Sequence, residues 1–292
     1  MTTDSEFETQ LAAMRAKLHR YCARMTGSAI DGEDVVQEVL IKAMGARPGA
    51  GEIVNLEGWL FRIAHNASLD FLRARSRADV VALTEEMAPA TENTDPQVIA
   101  ASFRMFLNLP ALSRCAVILR DVLGYSVEEI AGIADCSVPA AKSALQRGRQ
   151  RLKALAAAGE DDGRLPLLAE AERTRLRTFV ACFRTGDFDT IRRMLAEDVR
   201  VDLVNRLTLA GKTAASPYFT RYAEIEHWRY ALGAVDGLPA MLVYDARGPM
   251  DRPAYFVVLQ WLGGQITGIK DFLFAPYAMN GCDWVLLDQP PA

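Results

Sequence analysis

Ser126-Val127-Glu128-Glu129-Ile130-Ala131-Gly132-Ile133-Ala134-Asp135-Cys136-Ser137-Val138-Pro139-Ala140-Ala141-Lys142-Ser143-Ala144-Leu145-Gln146-Arg147-Gly148-Arg149-Gln150-Arg151-Leu152 reads as two helices joined by a tight turn. Ser126 and Glu129 form a capping box, in which the hydroxyl satisfies an orphan amide and the carboxylate reaches back. Ile130, Ala131 and Ala134 are the buried side of the short helix that follows. Asp135-Cys136 makes the turn, Ser137 caps the next helix, and Pro139 sits in its first turn, where a missing N–H costs nothing. Val138, Ala141, Leu145, Gly148 and Leu152 recur at steps of three and four, a continuous apolar seam. Ser143, Gln146, Arg147 and Gln150 point away from that seam, with Lys142, Arg149 and Lys153 on one flank and Arg151 on the other. From Ser137 to Lys153 there are five basic residues and no acidic one. Such a helix suits a DNA major groove: its outer face meets base edges while its flanks neutralise phosphates. Pro139, Lys142, Ser143, Gln146, Arg147, Arg149, Arg151 and Lys153 are the candidate contacts.

Working outward, 292 residues suffice for two or three compact units, each with its own core. Half of the residues are hydrophobic and 24% charged, which is ordinary globular composition. A net charge of −4 argues against a protein that coats nucleic acid non-specifically, and allows local basic patches. The five cysteines and three histidines are scattered, so neither a disulfide framework nor a structural metal site is expected. No cofactor is implied. The acidic start lacks the apolar core of a signal peptide, and no apolar run approaches membrane-spanning length. The expected compartment is the cytoplasm, with no membrane partner.

Upstream, residues 6–26 form a first helical stretch closed by Gly27. Asp34–Ala46 form a second, with Val36, Val39, Leu40 and Ala43 on one side and Asp34, Gln37, Glu38 and Ile41 on the other. That second side is either a solvated face or a docking face, and spacing does not separate the two. A third helix runs from Leu56 to Arg77. Trp59, Leu60, Ile63, Ala64, Ala67 and Phe71 make its apolar stripe, and His65, Asn66 and Ser68 supply polar groups. Arg73, Arg75 and Arg77 make its end more basic than the helix dipole alone needs. Residues 79–98 carry Glu85, Glu86, Glu92 and Asp95 among prolines, with no basic residue after Asp79, and read as a linker. Helices around Ile99–Asn108 and Ser113–Leu123 then lead into the helix-turn-helix.

At this point residues 6–157 resemble an RNA polymerase sigma factor of the extracytoplasmic-function type. Asp34-Val35-Val36-Gln37-Glu38 is similar to that family's second-region signature. Trp59-Leu60-Phe61-Arg62-Ile63-Ala64-His65-Asn66, ending in Asp70-Phe71-Leu72-Arg73, is similar to its promoter-melting helix. Leu109-Pro110, Arg120-Asp121-Val122-Leu123-Gly124-Tyr125, Ile130-Ala131 and Lys142-Ser143 are similar to its fourth region. The resemblance implies core RNA polymerase and promoter DNA as partners. It places Asp34, Gln37, Glu38 and Ile41 on polymerase, and Arg62, His65, Asn66, Ala67, Ser68, Arg73, Arg75 and Arg77 at the −10 element. The recognition helix takes the −35 element. The implied layout is region 2 at 1–78, an acidic linker at 79–98 and region 4 at 99–157.

A second linker at 158–166 leads to residues 167–292. There Leu176, Phe179, Val180 and Phe183 mark a helix ending at Gly186-Asp187, and Phe188, Ile191 and Leu195 mark another. Val199, Val201 and Leu203 alternate as a strand, with further strands around Trp228–Leu232 and Ala240–Tyr244. Residues 253–262, Gly263-Gly264 and 265–274 read as a hairpin with a two-residue turn. Helices first and antiparallel strands after give an α+β cone behind two all-α domains. Phe179–Phe188, Leu195-Ala196-Glu197-Asp198-Val199 and Gly264-Gln265-Ile266 running to Asp271-Phe272 make this part resemble a SnoaL-like domain of the ketosteroid-isomerase superfamily. Trp228, Tyr230, Tyr244 and Trp261 are candidate pocket walls, for a small-molecule ligand. Asp202, His227, Tyr230, Tyr244 and Asp271 are the candidate titratable groups, although no spacing forces two of them together. The expected role is regulatory, through contact with the helical half, and not enzymatic. Two alternatives stay open: a SnoaL-like enzyme fused to a DNA-binding module, and a DNA-binding regulator that works without polymerase.

Overall fold

The computed structural model describes residues 4–47, 53–76, 102–158 and 168–288. The expected linker at 79–98, residues 159–166 of the second, and Arg77 lie outside the described residues, while Ala158 still belongs to a helix. The chain divides into two compact units, Met1–Gly163 and Arg164–Ala292.

In the first unit, α1 (Asp4–Thr26), α2 (Ala29–Ala46) and α3 (Leu56–Ser76) pack on one another. Helix α2 begins five residues before the expected Asp34, because Ser28 caps it and accepts from the amides of Ile30 and Asp31 at 3.1 and 3.2 Å. Leu18, Tyr21, Met25, Val36, Val39, Leu60, Phe61 and Ala64 form the centre of this block. Next come α4 (Phe103–Leu107), shorter than expected among the described residues, and α5 (Ala111–Val117), which runs into a π-helical turn at Ile118–Val122. Then α6 (Val127–Ile133) and α7 (Val138–Ala158) make the helix-turn-helix. Gly148 lets α7 lie against α5, since a Cβ there would sit 2.5 Å from Val117 Cγ2 and 3.0 Å from the carbonyl oxygen of Ser113. The apolar core runs unbroken from α1 through α7.

The second unit is α+β. Helices α8 (Glu170–Thr185) and α9 (Phe188–Met194) are followed by β1 (Leu195–Leu203), β2 (Leu207–Ala210) and α10 (Lys212–Ala223). After α10 come β3 (Trp228–Val235), β4 (Leu238–Asp245), β5 (Tyr255–Leu262), β6 (Gln265–Asp271) and β7 (Trp284–Leu286). One sheet holds all seven in the order β2-β1-β6-β5-β4-β3-β7; only β1 with β6 is parallel. Gly186 ends α8 in the left-handed region at φ 72°, where glycine has no Cβ penalty. Gly263-Gly264 turns β5 into β6 as the hairpin pattern predicts. The short edge strands β2 and β7 and the helix α10 had no expectation attached to them. Ser216-Pro217 hides α10 in the sequence, because proline inside a pattern reads as a break.

Candidate nucleic-acid interface

Local chemistry builds the helix-turn-helix. The Ser126 amide donates to Glu129 Oε2 at 2.7 Å, and the Glu129 amide to Ser126 Oγ at 3.2 Å. Hydrogen bonding from Ser126, through its backbone amide first and its side chain second, holds the Glu129 carboxyl below its ordinary range. The turn is left-handed at Asp135 (φ 53°) and is closed by the Cys136 amide on the Ala131 carbonyl at 3.0 Å. Ser137 accepts from the Ala140 amide at 3.3 Å and starts α7. Each cap is worth about 1 kcal/mol, which the short α6 needs to form at all.

On α7 the buried side is Ala141, Ala144, Leu145, Gly148, Leu152 and Leu155. Pro139, Lys142, Ser143, Arg147, Arg151 and Lys153 are exposed, and Gln146 and Gln150 are half-buried. Lys142, Arg147, Arg151 and Lys153 make no ion pair among the described residues. Arg149 differs. Its guanidinium grips Asp121 in two parallel bonds, Nε to Oδ2 at 2.9 Å and Nη2 to Oδ1. The Asp121 side chain is 0% exposed and that of Arg149 13%. The bonds to Asp121 raise the Arg149 pKa. Arg149 therefore ties α7 to the π-helical turn, and unlike the other expected cations of this helix its guanidinium is held within the chain.

Helix α2 presents Asp34, Gln37, Glu38 and Ile41 outward, with Val36, Val39, Leu40 and Ala43 beneath. Ile41 is 59% and Met44 48% exposed, so an apolar strip lies within an acidic face. Glu38 pairs with Lys42 one turn on, at 2.6 Å.

Helix α3 corrects the expected −10 patch. Asn66 is exposed, but His65, Ala67 and Ser68 are buried. Positions 61, 64, 65 and 68 share one helical face, and Phe61 and Ala64 carry it into the core. His65 Nδ1 bonds the Tyr21 hydroxyl at 2.9 Å, and burial, then Arg73, lowers its pKa, keeping the ring neutral. The arginines have partners within the chain: Arg73 with Asp70 at 3.2 Å, and Arg75 with Asp31 at 2.8 Å. Arg62 donates to the Gly132 carbonyl from Nη2 at 2.6 Å and Nε at 3.2 Å.

In the second unit the four aromatic candidates do not line one pocket. Register pairs Tyr230 with Val243 and Arg229 with Tyr244, so Tyr244 lies on the opposite sheet face from Trp228 and Tyr230. Trp228 packs edge-on against Tyr255 at 5.2 Å, and Tyr230 against Phe183 of α8 at 5.2 Å. The Trp261 ring lies 5.9 Å from the Arg175 guanidinium. Among the titratable candidates, Asp202 accepts from the Thr208 hydroxyl at 3.3 Å and the His227 ring lies tilted against Trp228, 4.5 Å between centres. Asp271 is fully buried and has company that the sequence reading missed. Its Oδ2 accepts from Tyr218 at 2.9 Å and Tyr222 at 2.7 Å, and its Oδ1 from the Leu273 amide at 2.9 Å. Because Tyr222 spends its one hydroxyl proton donating to Asp271, it is Tyr255 that donates to Tyr222, at 3.0 Å. Burial raises the Asp271 pKa despite those three donors. The available signal was Tyr218 and Tyr222 four apart, one face of a helix. Among the described residues no group of three or more His, Cys, Asp and Glu could hold a metal, and no helix is long and apolar enough to cross a membrane.

Comparison with known proteins locates two family matches: Sigma-70 region 2 over residues 11–78 and Sigma-70, region 4 over residues 104–152. The ECF RNA polymerase sigma factor SigG of Mycobacterium tuberculosis is 30% identical over 215 residues, covering 64% of this chain and 58% of SigG. The ECF RNA polymerase sigma factor EcfG of Rhodopseudomonas palustris is 32% identical over 161 residues, covering 52% of this chain and 86% of EcfG. The chain thus spans little more than half the length of SigG. Among solved structures, the extracytoplasmic function sigma factor SigJ of M. tuberculosis is 20% identical, covers 90% of this chain and 95% of that one, and has a TM-score of 0.36.

Proposed function

The chain belongs to the ECF RNA polymerase sigma factor family, and from that premise we propose that it brings core RNA polymerase to specific promoters and starts transcription there, in the cytoplasm. The observation that carries the reading is the outer side of α7, where Lys142, Arg147, Arg151 and Lys153 stand exposed without acidic partners among the described residues. A helix with cations on its flanks and Ser143, Gln146 and Arg147 between them meets phosphates and −35 bases together. The acidic and apolar strip of α2 (Asp34, Gln37, Glu38 and Ile41) is the face for polymerase. Helix α3 supplies Asn66 for an unpaired −10 base, and Arg62, Arg73 and Arg75 for its phosphates, after exchanging their present partners. The functional divisions are region 2 at 1–78, an acidic linker at 79–98, region 4 at 99–157, a linker at 158–166 and the C-terminal domain at 167–292.

The sigma factor family is not enzymatic. The C-terminal domain is SnoaL-like in this reading and regulates the sigma half by contact with it, with or without a small-molecule ligand. A second reading is favoured by the Asp271 network, since a buried carboxylate with raised pKa among tyrosines suits acid–base work on a small molecule. The test is reconstituted transcription with purified core enzyme. The full chain should yield a promoter-specific transcript, and truncation after Ala157 should change its amount several-fold. Absence of any transcript with a promoter selected from the source genome overturns the sigma reading. Equal output from the two proteins overturns regulation and leaves the acid–base reading in its place.

A further inference from the structure

The start of α7 is a poor seat for phosphate. A helix start ordinarily offers its free amides to an anion. Here Pro139 has no amide hydrogen, the Ala140 amide is spent on Ser137 Oγ at 3.3 Å, and the Ala141 amide on the Ser137 carbonyl at 2.9 Å. Of the first four positions, that leaves the amide of Val138. Asp135 stands just ahead of the turn with its side chain 95% exposed, and its contact with Arg62 is a surface one at 4.0 Å. A DNA phosphate brought to this end meets one donor and a negative charge. The end therefore belongs over base edges, with the backbone left to the exposed Lys142, Arg151 and Lys153.

What this end presents to a base is apolar. At 3.6 residues per turn, Pro139, Ser143, Gln146 and Gln150 fall within about 60° of one another, opposite the buried Ala141, Leu145, Gly148 and Leu152. Pro139 is exposed at the head of that line, and the other three continue it with hydrogen-bonding groups. The direction of the line is fixed, because Gly148 brings α7 against α5 and Arg149 clamps it to Asp121. A proline ring neither donates nor accepts. Against the N7, O6 or amino group of a purine, or the N4 of cytosine, it strips water and returns no bond. The apolar feature of the major groove is the 5-methyl group of thymine. We propose that Pro139 reads a thymine through that methyl group, so that the −35 element carries an A·T pair beneath the start of α7. This rests on the sigma reading above, and it adds a contact made by water exclusion instead of hydrogen bonding.

The test compares two libraries of promoter duplexes randomised across the −35 element, one made with thymine and one with uracil, which differs by the methyl group alone. Holoenzyme assembled from the full chain and core polymerase should enrich thymine at one position. In the uracil library that preference should fall about fourfold, the worth of one buried methyl group. Pro139→Ser should make the two libraries enrich alike at that position. Pro139→Val, which restores the amide and keeps an apolar surface, should preserve the difference. Equal enrichment of both libraries by the wild type overturns the contact, as does a selected element with no thymine on either strand. A methyl effect that survives Pro139→Ser overturns the role of Pro139. Loss of the effect in Pro139→Val as well overturns it too, because the ring then acts through the shape of the helix start. Failure to form a complex with core polymerase, or a complex that enriches no sequence, overturns the sigma reading separately. The same two libraries offered to the full chain alone then decide the methyl contact by itself.

Discussion

Arg149→Ala separates a structural arginine from the one proposed to meet DNA on the same helix. The guanidinium makes two parallel bonds to Asp121, whose side chain is 0% exposed. Removing one partner of such a pair strands the other charge, at about 3–5 kcal/mol. Arg149 retains 13% exposure, which admits some solvent and puts the expected loss near the lower end, about 3 kcal/mol. With a urea m-value of about 2 kcal/mol/M for a unit of this size, the midpoint should fall by roughly 1.5 M. Hydrogen exchange across α7 in the full chain assigns the loss to the helix-turn-helix. Asp121→Leu/Arg149→Met, which replaces both charges with apolar groups, should recover stability to within about 1 kcal/mol of wild type. Arg147→Ala, on the exposed side of the same helix, should stay within about 0.5 kcal/mol of wild type. The reasoning is refuted if Arg149→Ala keeps the wild-type midpoint and loses DNA affinity instead.

Three further outcomes follow from the geometry. Arg147→Ala should cost about 1–3 kcal/mol at the −35 element and relax its sequence preference, while Lys153→Ala weakens binding to all sequences and flattens the salt dependence. Titrations on specific and scrambled duplexes at two salt concentrations check this, and equal losses from both variants contradict the assignment of faces. Charge reversal at Asp34 and Glu38 should abolish co-purification with core polymerase without shifting the urea midpoint, because both lie on the exposed side of α2 and Glu38 has only its surface partner Lys42. Wild-type yield of the complex places the docking face elsewhere. Burial raises the Asp271 pKa above its ordinary 3.8, so the folded second unit binds this proton more tightly than the unfolded chain. Its contribution to stability is present below about pH 4 and is lost as pH rises through the folded-state value. Asp271→Asn should remove this dependence, so the variant's midpoint should rise relative to that of wild type from pH 4 upward; a difference that is constant with pH contradicts it.

The sequence by itself determined the elements whose causes are local. The Ser126–Glu129 box, the Asp135-Cys136 turn and the Ser137 cap act within a few residues of chain, as do Gly186 behind α8 and Gly263-Gly264 in the hairpin. These signals need no knowledge of what packs nearby, so the helix-turn-helix, the three preceding helices and the α+β order of the second unit were legible. The exposed strip of α2 followed equally from helical period. Tertiary structure decided which members of each pattern remain available. Arg147 and Arg149 are indistinguishable by residue type, yet Arg149 meets Asp121, 28 positions away, and only packing of α7 on the π-helical turn brings them together. His65 and Ser68 are polar and sit among residues that suit a splayed base, but their helical face is the one that Phe61 anchors in the core. The Asp271 network joins β6 to tyrosines 49 and 53 positions earlier on a helix hidden behind Ser216-Pro217. Hydrogen-bond partners this distant are set by which faces the sheet and helices bury together, a property of the assembled fold that no local spacing encodes.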